Sequence, residues 1–318
     1  MPDGHSPGTV GREIEVNELT KRYGRTTAVN GLSFTVRPGH VTGFLGPNGA
    51  GKSTTLRMLL GLTEPTCGTA TIDGHLFRDH PRGLFHVGAL LDAHDVHGGR
   101  SAAAYLSALA RSNGIPRRRV DEVLEEVGLA AAARRRIGGF SLGMKQRLGI
   151  ATALLGDPPV LLFDEPVNGL DPEGVRWVRG LFRQLAAEGR TVFVSSHLMS
   201  EMQNTAEHLI VIGRGELIAD ESVAEFAARG TRPSVTVRTP DTTALASVLK
   251  AEGASVQPDD SGADESLTVT GLSAARIGEL ASHHRIVLLE LATRTSSLEE
   301  AFMKLTADSV EYLAGEPR

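Results

Sequence analysis

The chain has 318 residues, room for roughly two domains at about 150 residues each. Hydrophobic residues make up 41% and charged residues 22%, which allows packed cores and excludes wholesale disorder. Lys and Arg number 33 against 38 Asp and Glu, a net charge of −5, and the whole imbalance falls after residue 230. No part has the basic excess that phosphate-backbone binding requires, so no nucleic-acid partner is expected.

Residues 1–12 are rich in Pro, Gly and polar side chains and carry no hydrophobic signal core. No apolar stretch approaches the roughly 18–20 residues needed to cross a bilayer, so neither secretion nor a membrane span is expected. The single cysteine, Cys67, suits a reducing cytosol.

From residue 13 to 36 the pattern alternates as strands do, in Ile14, Val16 and Leu19 and again in Leu32, Phe34 and Val36. Pro38-Gly39 turns the chain into an apolar strand, Val41 to Leu45, which runs into Gly46-Pro47-Asn48-Gly49-Ala50-Gly51-Lys52-Ser53-Thr54; a helix is expected over 55–60. From about 101 to 156 the period is helical, with Val120, Val123, Leu124 and Val127 on one face. Strand signals return at 160–163 and 191–194 with a helix around 177–187 between them, the alternation of a parallel α/β sheet. Residues 209–219, turning at Gly213-Arg214-Gly215, predict a closing hairpin.

A boundary is expected at 229–233. Beyond it come a strand (235–238), a helix (243–252), a strand near 254–257, an acidic loop (259–265), a strand (267–270), a helix (274–283), a strand (286–291) and a helix (297–305). The order β-α-β-β-α-β is that of a small ferredoxin-like domain.

Gly46 to Ser53 fits G-x-x-x-x-G-K-[ST]. Its glycines let backbone N–H groups turn inward around phosphate oxygens, and the following helix start adds a favourable dipole. Lys52 would reach the β- and γ-phosphates and the Ser53 hydroxyl would ligate magnesium. Val160 to Phe163 ends in two carboxylates, Asp164 and Glu165, at the strand end where ligands sit in open α/β sheets. Asp164 would hold the magnesium and Glu165 would polarise an attacking water; an acidic helix cap before Pro166 is the bland alternative. His197 follows the strand 191–194 and can donate a hydrogen bond to a γ-phosphate. Ser141, before the helical run 148–155, reads physically as a helix N-cap able to bind an anion.

Together, Gly46–Thr54, the Phe140–Arg147 stretch, Asp164-Glu165-Pro166, Gly169-Leu170-Asp171 and His197 resemble, in order and spacing, an ATP-binding cassette (ABC) transporter ATPase over about residues 13–222. The resemblance is strongest to subunits of bacterial drug and antibiotic exporters and self-resistance pumps. It implies an α/β fold, a phosphate-loop NTPase with a parallel core sheet, an antiparallel β subdomain and a helical subdomain. To this a small C-terminal ferredoxin-like α+β domain is added. The corresponding divisions are a flexible N-terminus (1–11), the ATP-binding domain (12–228), an accessory domain (234–306) and a tail (307–318).

The resemblance further implies that ATP and Mg2+ are bound. Gly46, Pro47, Asn48, Gly49, Ala50, Gly51, Lys52, Ser53 and Thr54 would hold the phosphates, and Tyr23 would stack on adenine. Lys52, Glu165 and His197 would be catalytic, and Ser53, Asp164 and Asp92 would serve the metal. Ser141, Gly143 and Met144 would complete the ATP site of a partner cassette, and Asp171 would lie at the same dimer interface. One phosphate loop per chain means that a second copy or a paralogue supplies the other half. A separate membrane-spanning permease would be the partner, placing the chain at the cytoplasmic face of the membrane. Two departures stand out. Leu142 replaces the first of two usual glycines and adds bulk close to the expected γ-phosphate. Asp92 replaces the glutamine that normally links magnesium to the membrane partner, and a carboxylate can still bind magnesium or its water. The alternatives are a soluble cassette ATPase acting on ribosomes or DNA, and a nucleotide-gated sensor.

Overall fold

The computed structural model describes residues 11–93, 96–230, 233–258, 266–295 and 298–306. The initial alternation becomes two antiparallel strands, β1 (Ile14–Tyr23) and β2 (Thr26–Val36), paired Ile14↔Val36 and Val16↔Phe34. Opposed residues share a face, so all four of these buried side chains line one apolar side. β3 (Val41–Leu45), buried throughout, runs into the glycine-rich loop and α1 (Lys52–Leu59). The helix starts three residues earlier than expected because Gly51, at φ 102°, turns the loop straight into it. β4 (Cys67–Ile72) pairs with β1 to complete a three-stranded sheet, β2-β1-β4. Only its Ala70 and Ile72 are buried, too few for a periodic signal.

After β5 (Val87–Leu90), the helical stretch resolves into α2 (Ala102–Asn113), α3 (Arg118–Glu126) and α4 (Leu142–Leu154). Ser101 caps α2 by accepting the Ala104 N–H, and left-handed Gly114 closes it. α3 buries the expected stripe of Val120, Val123 and Leu124. Next come β6 (Val160–Asp164), α5 (Pro172–Ala187), β7 (Thr191–Ser196), the short α6 (Met199–Met202), β8 (His208–Gly213) and β9 (Glu216–Ser222). They build a six-stranded sheet in the order β5-β6-β7-β3-β8-β9, parallel except for the β8–β9 hairpin. One hydrophobic core joins the two sheets. In it Phe34 of β2 lies 5.6 Å from Phe44 of β3 and 5.9 Å from Phe193 of β7, while Phe44 and Phe193 stack at 5.0 Å.

α7 (Val223–Gly230) follows β9, and the chain divides into a unit running to Val223 and one from Ala224 to Lys304. The second contains β10 (Pro233–Arg238), α8 (Thr242–Ala251), β11 (Ser255–Pro258), β12 (Ser266–Thr270), α9 (Ala274–His283) and β13 (Glu290–Thr295); α10 (Leu298–Thr306) follows. Its sheet is antiparallel in the order β11-β12-β10-β13, the split β-α-β arrangement. The last strand corrects the expected 286–291. Ile286 and Leu288 pack on the core of this unit, but the ladder to β10 runs from Glu290 to Thr295, four residues later. The apolar run marked what is packed there and not what is paired. The acidic loop 259–265 lies outside the described residues. Among the described residues no helix is long and apolar enough to cross a membrane.

Candidate active site

Three neighbouring strands, β6, β7 and β3, end side by side. Register places Asp164 beside Ser195 and Ser196 beside Leu45, so the carboxylate pair, the histidine and the glycine-rich loop emerge on one edge. This is the carboxyl edge at which open α/β sheets bind ligands.

The loop is shaped by its backbone. A Cβ on Gly51 would stand 2.5 Å from the Ala28 carbonyl oxygen, at a positive φ that side chains rarely adopt. Lys52, 6% exposed, curls back so that Nζ donates to the carbonyls of Gly46 at 2.6 Å and Pro47 at 3.2 Å. Nζ also lies 3.5 Å from Glu165 Oε1. Burial pushes the Lys52 pKa below its ordinary value, opposed by the charges of Glu165 and Asp164. The ammonium is therefore held where a polyanion's charge would be most strongly felt.

Asp164 is 8% exposed and accepts a hydrogen bond from the Ser195 hydroxyl; the same Ser195 Oγ accepts the Glu165 N–H at 3.1 Å. Glu165 sits at φ 48°, a left-handed conformation uncommon for a residue with a side chain. Such strain persists where neighbours over-determine it. Here Ser195 holds the Glu165 amide, Gln146 Nε2 donates to its carbonyl at 3.4 Å, and Asn168 Nδ2 lies 3.5 Å from Oε2. His197 Nδ1 is 2.8 Å from the same Oε2.

Of the residues singled out in the sequence, Lys52, Asp164, Glu165 and His197 thus converge. Ser53 opens α1 and is exposed. Ser141 caps α4, its Oγ accepting the Met144 N–H at 3.2 Å, and Asp171 caps α5 through the Gly174 N–H at 2.8 Å. Tyr23 is half exposed, with Lys21 Nζ 4.9 Å from its ring centroid. Asp92 lines a cleft with Leu90, Tyr105 and Gly149. Sequence reasoning assigned no role to Ser195, Gln146, Asn168 or Glu201. Ser195 and Gln146 lie inside stretches already marked, but their partners depend on the sheet order.

Glu201 extends the cluster from below: it accepts from the Ser196 hydroxyl, next to His197. Burial raises its pKa above 4.5, helped by the Glu165 charge and opposed by the Ser196 hydrogen bond, His197 and Arg179. A raised folded-state pKa contributes stability that is complete below the unfolded value and lost as pH rises through the folded one. Glu201→Gln keeps an acceptor for Ser196 without the charge. Its melting temperature is expected to exceed that of the wild type at pH 7, the gain shrinking as pH falls and vanishing below the ordinary glutamate range. Thermal unfolding across that pH span checks this, and a difference independent of pH would refute it.

A backbone cradle with one buried lysine, a carboxylate pair and a histidine at the ends of parallel strands defines a phosphate-loop nucleoside triphosphatase. Residues 29–168 match the family model described as "ABC transporter", and residues 233–299 match a domain of unknown function, DUF8746. The bacitracin transport ATP-binding protein BcrA of Bacillus licheniformis is 43% identical over 210 residues, spanning 65% of this chain and 69% of that protein. The uncharacterized ABC transporter ATP-binding protein YhcH of Bacillus subtilis (strain 168) is 40% identical over 215 residues, 67% of this chain and 70% of that one. A solved structure described as "Structure of ATP binding subunit of ABC transporter" superposes with a TM-score of 0.62 at 26% identity, over 68% of this chain and 92% of that chain. The chain belongs to the ABC transporter family as an ATP-binding subunit, and its activity is that of an ATPase.

Proposed function

We propose that this subunit hydrolyses MgATP as a dimer and drives export of a drug- or antibiotic-like small molecule through a separate membrane subunit, at the cytoplasmic face of the membrane. The observation that carries the catalytic part is the convergence of Lys52, Asp164, Glu165 and His197 at the ends of three adjacent strands. The substrate class is supported by the bacitracin transport relative.

In this reading the N–H groups of the Gly46–Thr54 loop, Pro47 having none, and the Lys52 ammonium hold the phosphates, and ATP draws that ammonium away from the Gly46 and Pro47 carbonyls. Glu165, held by Asn168 and His197, orients water and accepts its proton, and His197 donates to the departing phosphoryl oxygen. The Ser53 hydroxyl and the Asp164 carboxylate supply hard oxygen donors that suit magnesium, with Asp92 as a further carboxylate. The metal, when bound, neutralises charge on the β- and γ-phosphate oxygens. Asp164 gives Oδ1 to Ser195, a tie that fixes its orientation toward such a cation. Tyr23 receives the adenine, and Ser141, Gly143, Met144 and Asp171 meet the second copy. Nucleotide-driven closing and opening of the dimer then shifts the membrane subunit between two access states.

The test is affinity purification of tagged Glu165→Gln protein from detergent-solubilised cells with MgATP present. Stoichiometric recovery of a multi-span membrane protein is expected. Recovery with ribosomes or DNA, or as a soluble dimer alone, would overturn the export reading.

A further inference from the structure

α4 meets the turn between β6 and α5 along one of its faces. Leu142 and Gln146 stand four residues apart and therefore on the same side of the helix. Leu142 takes the place a side chain on Gly169 would need: a Cβ built there would overlap Leu142 Cδ2 and Cγ and lie 3.3 Å from its Cβ. Gly169 has φ 76°, so glycine is required at this point both by the backbone and by Leu142. Between the two, a Cβ on Gly143 would lie 3.4 Å from both the Gly169 carbonyl oxygen and Leu170 Cδ2. One helical turn on, Gln146, 6% exposed, donates from Nε2 to the carbonyls of Asn168 at 3.2 Å and Glu165 at 3.4 Å.

These contacts tie both ends of one short turn to α4. The turn starts at Glu165, whose carboxylate is met by Asn168 Nδ2, and ends at Asp171, the cap of α5. Arg147, next to Gln146, lies 4.4 Å over the Trp177 ring of α5 and so holds the following helix to α4 as well. The bulk that Leu142 brings to the loop is turned onto Gly169. Leu142 is 38% exposed, and a glycine at 142 would remove its side-chain contact with Gly169, leaving the Gln146 hydrogen bonds as the side-chain tie between α4 and the turn.

We propose that Leu142 is a positioning residue that couples the Ser141–Gly143 loop to the Asn168–Asp171 turn and, through it, to Glu165 of the same chain. The coupling rests on the proposed dimer for what the loop touches, a phosphate held by the second copy. Engagement of that phosphate sets the turn, and the turn sets the carboxylate that serves this chain's own nucleotide. The two sites are then linked through α4 within each chain.

The full-length chain carrying Leu142→Gly, the residue more usual in the family, provides the test. Its kcat for ATP is expected to fall about tenfold, while its Kd for a fluorescent ATP analogue stays within about twofold of wild type, because the Gly46–Thr54 loop is untouched. Leu142→Met, which nearly conserves volume, is expected to recover kcat to within about threefold of wild type. Hydrogen exchange at the amides of 168–171, read by mass spectrometry on the same proteins, is expected to quicken about tenfold in Leu142→Gly alone. A Leu142→Gly protein with wild-type kcat, or with unchanged exchange in the turn, overturns the proposal. Parallel loss of thermal stability and of analogue binding would also overturn it, reducing Leu142 to packing. If the wild type itself turned over no ATP, the ATPase reading would fail, and exchange in the turn would still decide the coupling.

Discussion

Glu165→Gln is expected to lower ATP turnover by about a hundredfold or more while nucleotide binding survives. The carboxylate stands 2.8 Å from His197 Nδ1, 3.5 Å from Asn168 Nδ2 and 3.5 Å from Lys52 Nζ. The amide is nearly isosteric, so it fills the same volume and keeps an oxygen for His197. It removes the basic site, and with it the group proposed to take a proton from water. The backbone at φ 48° remains pinned through the Glu165 amide and carbonyl, which the substitution does not alter. Lys52 loses one of the two charges that oppose its desolvation, and the phosphates of bound ATP replace it. The variant should therefore bind ATP, close and stall. Phosphate release measures the first effect, and light scattering with and without MgATP measures accumulation of the dimer. Turnover at the wild-type rate would remove Glu165 from the mechanism.

The second large effect concerns stability. Phe193→Ala is expected to cost about 3–5 kcal/mol, the range for deleting a fully buried aromatic side chain. Phe193 is fully buried between Phe44 and Phe34, and the three rings connect the six-stranded sheet to the three-stranded one. The ring also lies two residues before Ser195, in the strand that carries His197 at its end. A cavity here loosens the β3–β7 pair that sets the phosphate loop beside the histidine, so ATP affinity should fall along with stability. Phe193→Leu, which leaves less empty volume, should cost about 1.5 kcal/mol. Urea unfolding of the three proteins gives both values. A loss under about 1 kcal/mol for the alanine variant would show that the surrounding core collapses onto the site.

The pattern of the glycine-rich loop was legible in the chain because the chemistry proposed for it is local. For consecutive backbone amides to surround one anion, the glycines must fall at fixed spacing and Lys52 must follow Gly51 directly. The two carboxylates after β6 and the histidine after β7 were legible for a related reason: each closes an apolar run, and such ends meet in a parallel sheet. The edges of the helical run were less so. Ser101 and Ser141 both cap helices through the same hydrogen bond, and nothing local to either serine separates a plain cap from the phosphate contact proposed for Ser141.

What stayed hidden depends on neighbours far apart in sequence. Ser195 meets Asp164 across 31 residues, and Gln146 meets Asn168 across 22. A serine before a histidine and a glutamine inside a helix carry no mark of those partners. Leu142 could be seen to differ from the family's usual glycine, but its direction could not. The misplaced strand at 286–291 has the same origin. Ile286 and Leu288 are apolar because they pack on the core, and pairing to β10 begins only at Glu290.

By itself the sequence determined the family, the glycine-rich loop and the residue types of the candidate catalytic cluster, since each is set by short-range geometry or by the end of a strand. The tertiary structure alone decided which strands are neighbours. The order β6-β7-β3 brings Glu165, His197 and Lys52 within a few ångströms, and the packing of α4 on the 165–171 turn sets Leu142 against Gly169. The physical reason is that sheet order and helix docking are chosen by burial summed over the whole core, a quantity that no single segment of the chain contains.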